Sequence, residues 1–220
     1  RYRYLLPMLA LAVLTTLPLA AVGEQETESS DTIHIALTAP ITGEYAEYGI
    51  GFRRSVEMAM EEINAEGGIL GKRLILSVGD SEGEPRKSAE FAEKWTADPT
   101  VVAQIGDFTS SGCLASQPIY DRAGVVQLSP TASHTDFASA SRWSFSVVGT
   151  QAYEQPFMAD LAYNDLGFDT IAIIYTNNDW GVNTKEFFIR NFEELGGEII
   201  AQEYYFPGER DFSAALRRLK

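Results

Sequence analysis

Between Gly106 and Ser133 the chain gathers small hydroxyl side chains at two places, GDFTSSG and LSPTAS. The first stretch closes one apolar strand and opens a helix, and the second closes the next strand about one βαβ unit later. In an open parallel sheet, ligands bind in the crevice outside the carboxyl ends of the strands. Hydroxyls and free helix N–H groups collected there suit a small anionic or zwitterionic guest. They suit binding rather than bond making, because no base accompanies them. Ser110 and Ser111 fall where a helix has unpaired N–H groups, so a carboxylate could take a hydroxyl, a backbone N–H and the helix dipole together. The competing reading is that one of the two serines is simply the helix N-cap.

The elements that must carry these loops follow from apolar spacing. IHIAL at 33–37 is a first strand, followed by a Pro- and Gly-punctuated loop, TAPITGEYAEYG, that holds Tyr48. In FRRSVEMAMEEINAEGG, Phe52, Val56, Ala59 and Ile63 repeat at helical spacing and Gly67 supplies the stop. RLILSVGD at 73–80 is a second strand, and Pro85 begins a second helix with Ala89, Ala92 and Trp95 on its apolar face. VVAQIG at 101–106, a helix over about 111–123 ended by Gly124, and VVQLS at 125–129 complete a β-α-β-α-β-α-β series. That order means an α/β fold with a parallel sheet covered by helices on both faces. With a 2-1-3-4-5 strand order, strands one and three meet where the winding reverses, and Tyr48 and Ser110 face each other across the crevice.

After Ser133 a polar stretch leads to WSFSVVGT, whose segment 144–150 is expected to cross between two lobes. A helix over about 153–165, the strand DTIAIIYT, a helix over about 181–195 stopped by Gly196 and Gly197, and a strand at 198–205 begin a second βα series. The expected organisation is therefore lobe one at 31–148 and the start of lobe two at 149–220. The absent initiator Met, and a helical pattern that runs up to Lys220, carry the expectation of a fragment whose second lobe is truncated.

Residues 1–23 have the charged-then-apolar-then-small layout of a secretory signal: Arg1 and Arg3, an apolar run from Leu5 to Ala21, then small residues. The run is short of the roughly 20 apolar residues that a membrane span needs. Cleavage is expected between Ala20 and Glu24, which leaves the polar linker EQETESSD at the start of the mature chain, with 24–30 ahead of lobe one. The single cysteine, Cys113, is expected to be a small buried residue near a helix start, so an exported chain of this kind is held together by its core and not by an internal disulfide.

The net charge of −14, or −16 without the two arginines of the signal, argues against nucleic acid and anionic membrane as partners. With 45% hydrophobic and 22% charged residues, the composition is that of a globular protein with a real core. His34 alternates with Ile33 and Ile35 and is expected to be a strand residue. His134 and Asp136 near Ser110 or Ser129 lack the G-x-S-x-G elbow of a hydrolase, so no catalytic residue is assigned. GGILGK is one residue short between its glycines for a phosphate loop and has no Ser or Thr after Lys72. Scattered Asp and Glu form no metal-ligand pattern, and no cofactor is called for.

The segments APITGEYAEYG, EEINAEGGILGKRL, GDSEGEPRKSAEFAEK, IGDFTSSGCLASQPIYDRAGVVQLSPTAS, IAIIYTNNDWG and GERDFSAALRRLK occur in the order found in a known family. Over about residues 31–220 the chain resembles the periplasmic binding proteins of the branched-chain amino-acid type, the type I solute-binding proteins of ABC transporters. The resemblance implies two lobes, each a doubly wound parallel sheet, closing on an amino acid in the periplasm and delivering it to membrane permease subunits, with the binding protein a monomer and no enzyme. It also leaves room for a ligand-sensing ectodomain of a signalling receptor, or for amides and other small carboxylates as ligands.

Residue by residue, the resemblance implies that Ser110 binds the ligand's α-carboxylate. It implies that the Thr131 carbonyl and the Ser133 hydroxyl take the ammonium. Tyr48 and Phe108 line the side-chain pocket, and Trp180 closes over it from lobe two. The chain departs from the family at Thr109, where a paired cysteine is common, and at Trp180, where tyrosine is common. The family's acidic ammonium ligand lies beyond Lys220.

Overall fold

The computed structural model describes residues 31–219; the expected signal and linker at 1–30 lie outside them. Five parallel strands form the first sheet in the order β2-β1-β3-β4-β5: β1 (Thr32–Ala39), β2 (Arg73–Asp80), β3 (Val101–Ile105), β4 (Val126–Ser129) and β5 (Ser144–Ser146). β1 runs in unbroken register with β2, from Thr32 opposite Arg73 to Ala39 opposite Asp80. Because β1 is flanked by β2 and β3, the winding reverses beside it, and the crevice expected from the sequence opens at the carboxyl ends of β1 and β3.

Helices α1 (Ala46–Ala65), α2 (Pro85–Thr96) and α3 (Ser110–Ala123) make the crossovers between these strands. The right-handed rule sends α1 to one face and α2 with α3 to the other, where they pack side by side. Trp95 on α2 is buried there with Ala36, Ala92, Val101 and Tyr120, and its indole N–H donates to the Thr38 hydroxyl at 3.0 Å. Phe91 lies over Gly79, where any side chain would meet its ring at about 2.5 Å.

Two readings of the sequence are corrected in this half. The segment expected to be a loop up to Gly51 enters α1 at Ala46, so Tyr48 stands in the first helical turn. Gly49 is there because a Cβ would lie 2.0 Å from the Pro40 carbonyl oxygen, a close approach and not a break in the chain. Ser144–Ser146, expected to belong to the crossing, is the fifth strand, paired with β4. The polar stretch before it holds a short helix, α4 (Thr135–Ser139), with Phe137 fully buried against Cys113 and Ala132.

Beyond residue 150, α5 (Gln151–Asp160) continues into a wider turn at Leu161–Asp165. Two parallel strands follow, β6 (Thr170–Thr176) and β7 (Glu198–Tyr205), joined through α6 (Asp179–Glu194), with α7 (Ser213–Arg218) last. Phe192 is the fully buried centre of this part, stacked on Phe188 with their rings 5.5 Å apart and met edge-on by Tyr163. His34 is a β1 residue whose ring nitrogens bond Ser77 and Thr100, at 2.6 and 3.2 Å. No helix among the described residues is long and apolar enough to cross a membrane.

Candidate functional site

A cavity of about 570 Å³ lies between the two sheets. From the first sheet it is walled by Glu44 and Tyr45 after β1, Phe108, Thr109 and Ser110 after β3, and Thr131 after β4. From the second it is walled by Thr176, Asn178 and Trp180 at the end of β6 and start of α6, and by Tyr205, Gly208, Glu209 and Phe212 after β7. The strand ends of both sheets therefore point into one space. Helices α3 and α6 also begin there, and their N-terminal N–H groups and dipole ends favour an anion.

The order of the three hydroxyls in TSS decides what each can do. Thr109 is the N-cap of α3: its backbone is extended, and its hydroxyl oxygen accepts from the Gly112 amide at 3.0 Å. The N-cap reading of Ser110 or Ser111 is thus replaced by Thr109. Ser111 accepts from the Asp179 amide at 3.3 Å, a bond from lobe one to the start of α6. Ser110 keeps no partner at all, although only 3% of it is exposed and its hydroxyl is buried at the cavity wall. A buried hydroxyl left unpaired costs roughly 1–3 kcal/mol, which a ligand oxygen bonded to it would offset.

The second hydroxyl loop is held from within. Ser129 donates to the Asp107 carbonyl at 3.0 Å and accepts from the amides of Thr131 and Ala132. The Thr131 hydroxyl donates to the Phe108 carbonyl at 2.7 Å, tying the two loops to each other. Ser133 stands behind the cavity. Its oxygen accepts from Gln151 Nε2 at 2.7 Å and from Trp180 Nε1 at 3.0 Å. Both lone pairs of that hydroxyl are engaged, so it has a proton to offer, and an ammonium would need one of the two donors to leave.

Four of the six residues singled out in the sequence, Phe108, Ser110, Thr131 and Trp180, line the cavity. Tyr48 does not: it is half exposed and stacks on the outer side of Phe108, with ring centres 4.2 Å apart. Tyr45 takes the inner side, with its ring centre 5.1 Å from that of Phe108. Burial, then Glu44 and Tyr205 nearby, push the Tyr45 hydroxyl above its ordinary pKa. Tyr45, Glu44, Tyr205, Glu209 and Phe212 were missed. TGEYAEYG offers two tyrosines, and only the helix start at Ala46 decides which faces inward.

Cys113 is fully buried and its thiol is pushed up to about 12 by burial and by Asp107. Among the described residues no group of His, Cys, Asp and Glu could hold a metal ion.

A crevice between parallel sheets, lined by hydroxyls and helix starts and without a catalytic base, defines a solute-binding protein. The sequence matches the model of the periplasmic binding protein family over residues 32–220, and the chain belongs to that family, whose members bind solutes and are not enzymes. Membership implies an extracytoplasmic location.

The chain is similar to the Leu/Ile/Val-binding protein homolog 2 of Brucella abortus, at 30% identity over 86% of this chain and 51% of the relative. It is similar to the leucine-, isoleucine-, valine-, threonine- and alanine-binding protein of Pseudomonas aeruginosa, at 28% identity over 87% and 52%. Among solved structures, it resembles a leucine-binding protein of Thermotoga maritima with a TM-score of 0.79 and 27% identity, over 84% of this chain and 52% of that one. It also resembles a branched-chain amino-acid transporter substrate-binding protein of Streptococcus pneumoniae in complex with isoleucine, with a TM-score of 0.75 and 26% identity, over 85% and 53%. The chain spans about half the length of the curated relatives it matches.

Proposed function

We propose that this protein is the extracytoplasmic solute-binding component of an ABC importer and that it binds a branched-chain type of amino acid between its lobes. One observation carries the reading: Ser110 presents a buried hydroxyl with no partner at the α3 N-terminus, inside the cavity between the sheets. The ligand's carboxylate takes that hydroxyl. The Thr131 carbonyl and Ser133 serve its ammonium, with Gln151 or Trp180 yielding its bond to Ser133. Phe108, with Tyr45 inside and Tyr48 behind, meets the side chain, and Trp180 covers it.

Binding spans both lobes, so the ligand shifts a hinge equilibrium toward the closed form, which membrane permease subunits read. The protein acts as a monomer in the periplasm, exported by the signal at 1–23. Lobe one runs over 31–148, with the crossing immediately after it. Names of the relatives support the ligand class, since those proteins bind leucine, isoleucine or valine.

A thermal-shift screen of the full-length protein against the amino acids tests this, because a ligand of the native state stabilises it by RT ln(1 + [L]/Kd). Leucine, isoleucine or valine should give the largest shifts. No shift with any amino acid overturns the reading.

A further inference from the structure

Asp107 lies beneath the cavity, 1% exposed, and no lysine or arginine among the described residues pairs with it. A buried carboxylate is costly unless hydrogen bonds satisfy it. Here four donors converge on its two oxygens: the Ser88 hydroxyl on Oδ2 at 2.6 Å, the Phe108 amide on Oδ1 at 2.5 Å, the Ser81 hydroxyl and the Thr109 amide. A carboxylate is acceptor-only with about four lone-pair sites, so the donor set matches it without remainder. No other side chain of that size offers the same.

The donors come from separate segments. Ser81 and Ser88 belong to the turn after β2 and to α2, whereas Phe108 and Thr109 form the wall of the cavity and the cap of α3. Gly112, in the first turn of α3, has Asp107 Oδ2 only 3.0 Å from where its Cβ would stand, so the carboxylate lies directly against the turn that begins with Ser110. The backbone of the same residue holds the second hydroxyl loop, because its carbonyl accepts from Ser129. Asp107 thus joins both ligand-facing loops to the α2 side of the sheet while its own side chain stays out of the cavity.

We propose that Asp107 is a positioning residue for the ligand site: its carboxylate fixes Phe108 and Thr109, and through them the direction in which Ser110 presents its hydroxyl. The proposal rests on the amino-acid reading of the cavity, and its test separates the two.

In the full-length protein, Asp107→Ala leaves the Phe108 and Thr109 amides without acceptors, and Asp107→Asn returns an acceptor of the same shape. Leucine is the probe for calorimetry, and amide hydrogen exchange is followed over residues 106–112 without any ligand. Asp107→Ala should weaken leucine binding about tenfold or more, with Asp107→Asn within about threefold of the wild type. Exchange at Phe108 and Thr109 should rise in the alanine variant, while amides of β1 and α2 remain protected. Should the alanine variant not fold, Ser88→Ala removes one of the four donors and should loosen the same two amides in milder form.

Unchanged exchange at Phe108 and Thr109 in the folded variants overturns the proposal, as does leucine binding in Asp107→Ala equal to that of the wild type. If the wild type itself ignores leucine, the ligand reading fails, and the exchange arm alone decides the role of Asp107.

Discussion

The indole N–H of Trp180 donates to the hydroxyl oxygen of Ser133 at 3.0 Å, across the space between the two sheets. Trp180 is the second residue of α6 and Ser133 belongs to the loop after β4, so one bond joins the start of a lobe-two helix to a ligand loop of lobe one. Asn183 repeats the connection one turn on: its Oδ1 accepts from the Thr135 amide at 3.3 Å, and its Nδ2 donates to the Thr135 hydroxyl at 3.0 Å.

Trp180→Phe keeps an aromatic cover and removes the donor. A neutral hydrogen bond contributes roughly 0.5–1.5 kcal/mol, so leucine should leave about 2 to 12 times faster with a nearly unchanged on-rate. Stopped-flow fluorescence checks this; a slowed on-rate with an unchanged off-rate would count against a closing role for the ring.

Ser110→Ala should show opposite signs in two measurements. Leucine binding weakens by about 1–3 kcal/mol, because a carboxylate oxygen loses its partner. Without ligand, thermal stability holds or rises, because the hydroxyl removed was buried and unpaired. Calorimetry and melting curves together test the assignment, and equal affinity in both proteins would sink it.

Thr109→Ala removes the α3 cap and should cost about 1 kcal/mol of stability, whereas Thr109→Ser should cost far less. Urea unfolding of both variants separates the cap from the methyl group.

Asp107 also sets a pH dependence of stability. Burial raises its folded pKa above the ordinary carboxylate value, with the Ser88 and Ser81 hydroxyls and the Phe108 and Thr109 amides opposing. The ionisable neighbours on α3 are Cys113 and Tyr120. A raised folded pKa means that the native state holds the proton in a range where the unfolded chain has lost it. Stability from this group is therefore full below the unfolded value, about 3.9, and is lost as pH rises through the folded one. The difference in unfolding free energy between wild type and Asp107→Asn should fall across that window, by at most about 1.4 kcal/mol per pH unit. A difference that rises with pH would contradict the sign.

Cys113 should resist alkylation in the folded protein at pH 8, since its thiol titrates at about 12 and is fully buried. Iodoacetamide labelling followed by mass spectrometry, with and without urea, checks this. Rapid labelling without urea would contradict the burial.

The sequence showed the order of elements well because apolar runs between turn residues carry it: β2 and β7 have the ends expected from RLILSVGD and from the residues after Gly197. The strand order followed from parallel crossovers alone. What escaped was decided by contacts between distant residues. Gly49 looks like loop punctuation until Pro40 is placed against it. Ser144–Ser146 is too short and polar to announce itself, and becomes a strand only through β4. Three adjacent hydroxyls in TSS are equivalent on paper, and the extended backbone of Thr109 separates the cap from the free hydroxyl. Tyr45 and Tyr48 differ only by the phase of a helix start.

Gly106 has φ near 110° and lies so close to β1 that a Cβ would stand 1.9 Å from the Thr38 carbonyl oxygen. Its amide meanwhile donates to Leu128 on β4 at 2.8 Å. The hinge point of the hydroxyl loop is therefore fixed by backbone atoms that no ligand touches. Changing Tyr45, Phe108 or Trp180 redraws the shape of the cavity while this anchor stays as it is, so a library built on those three positions searches for new ligands without asking the sheet to fold differently.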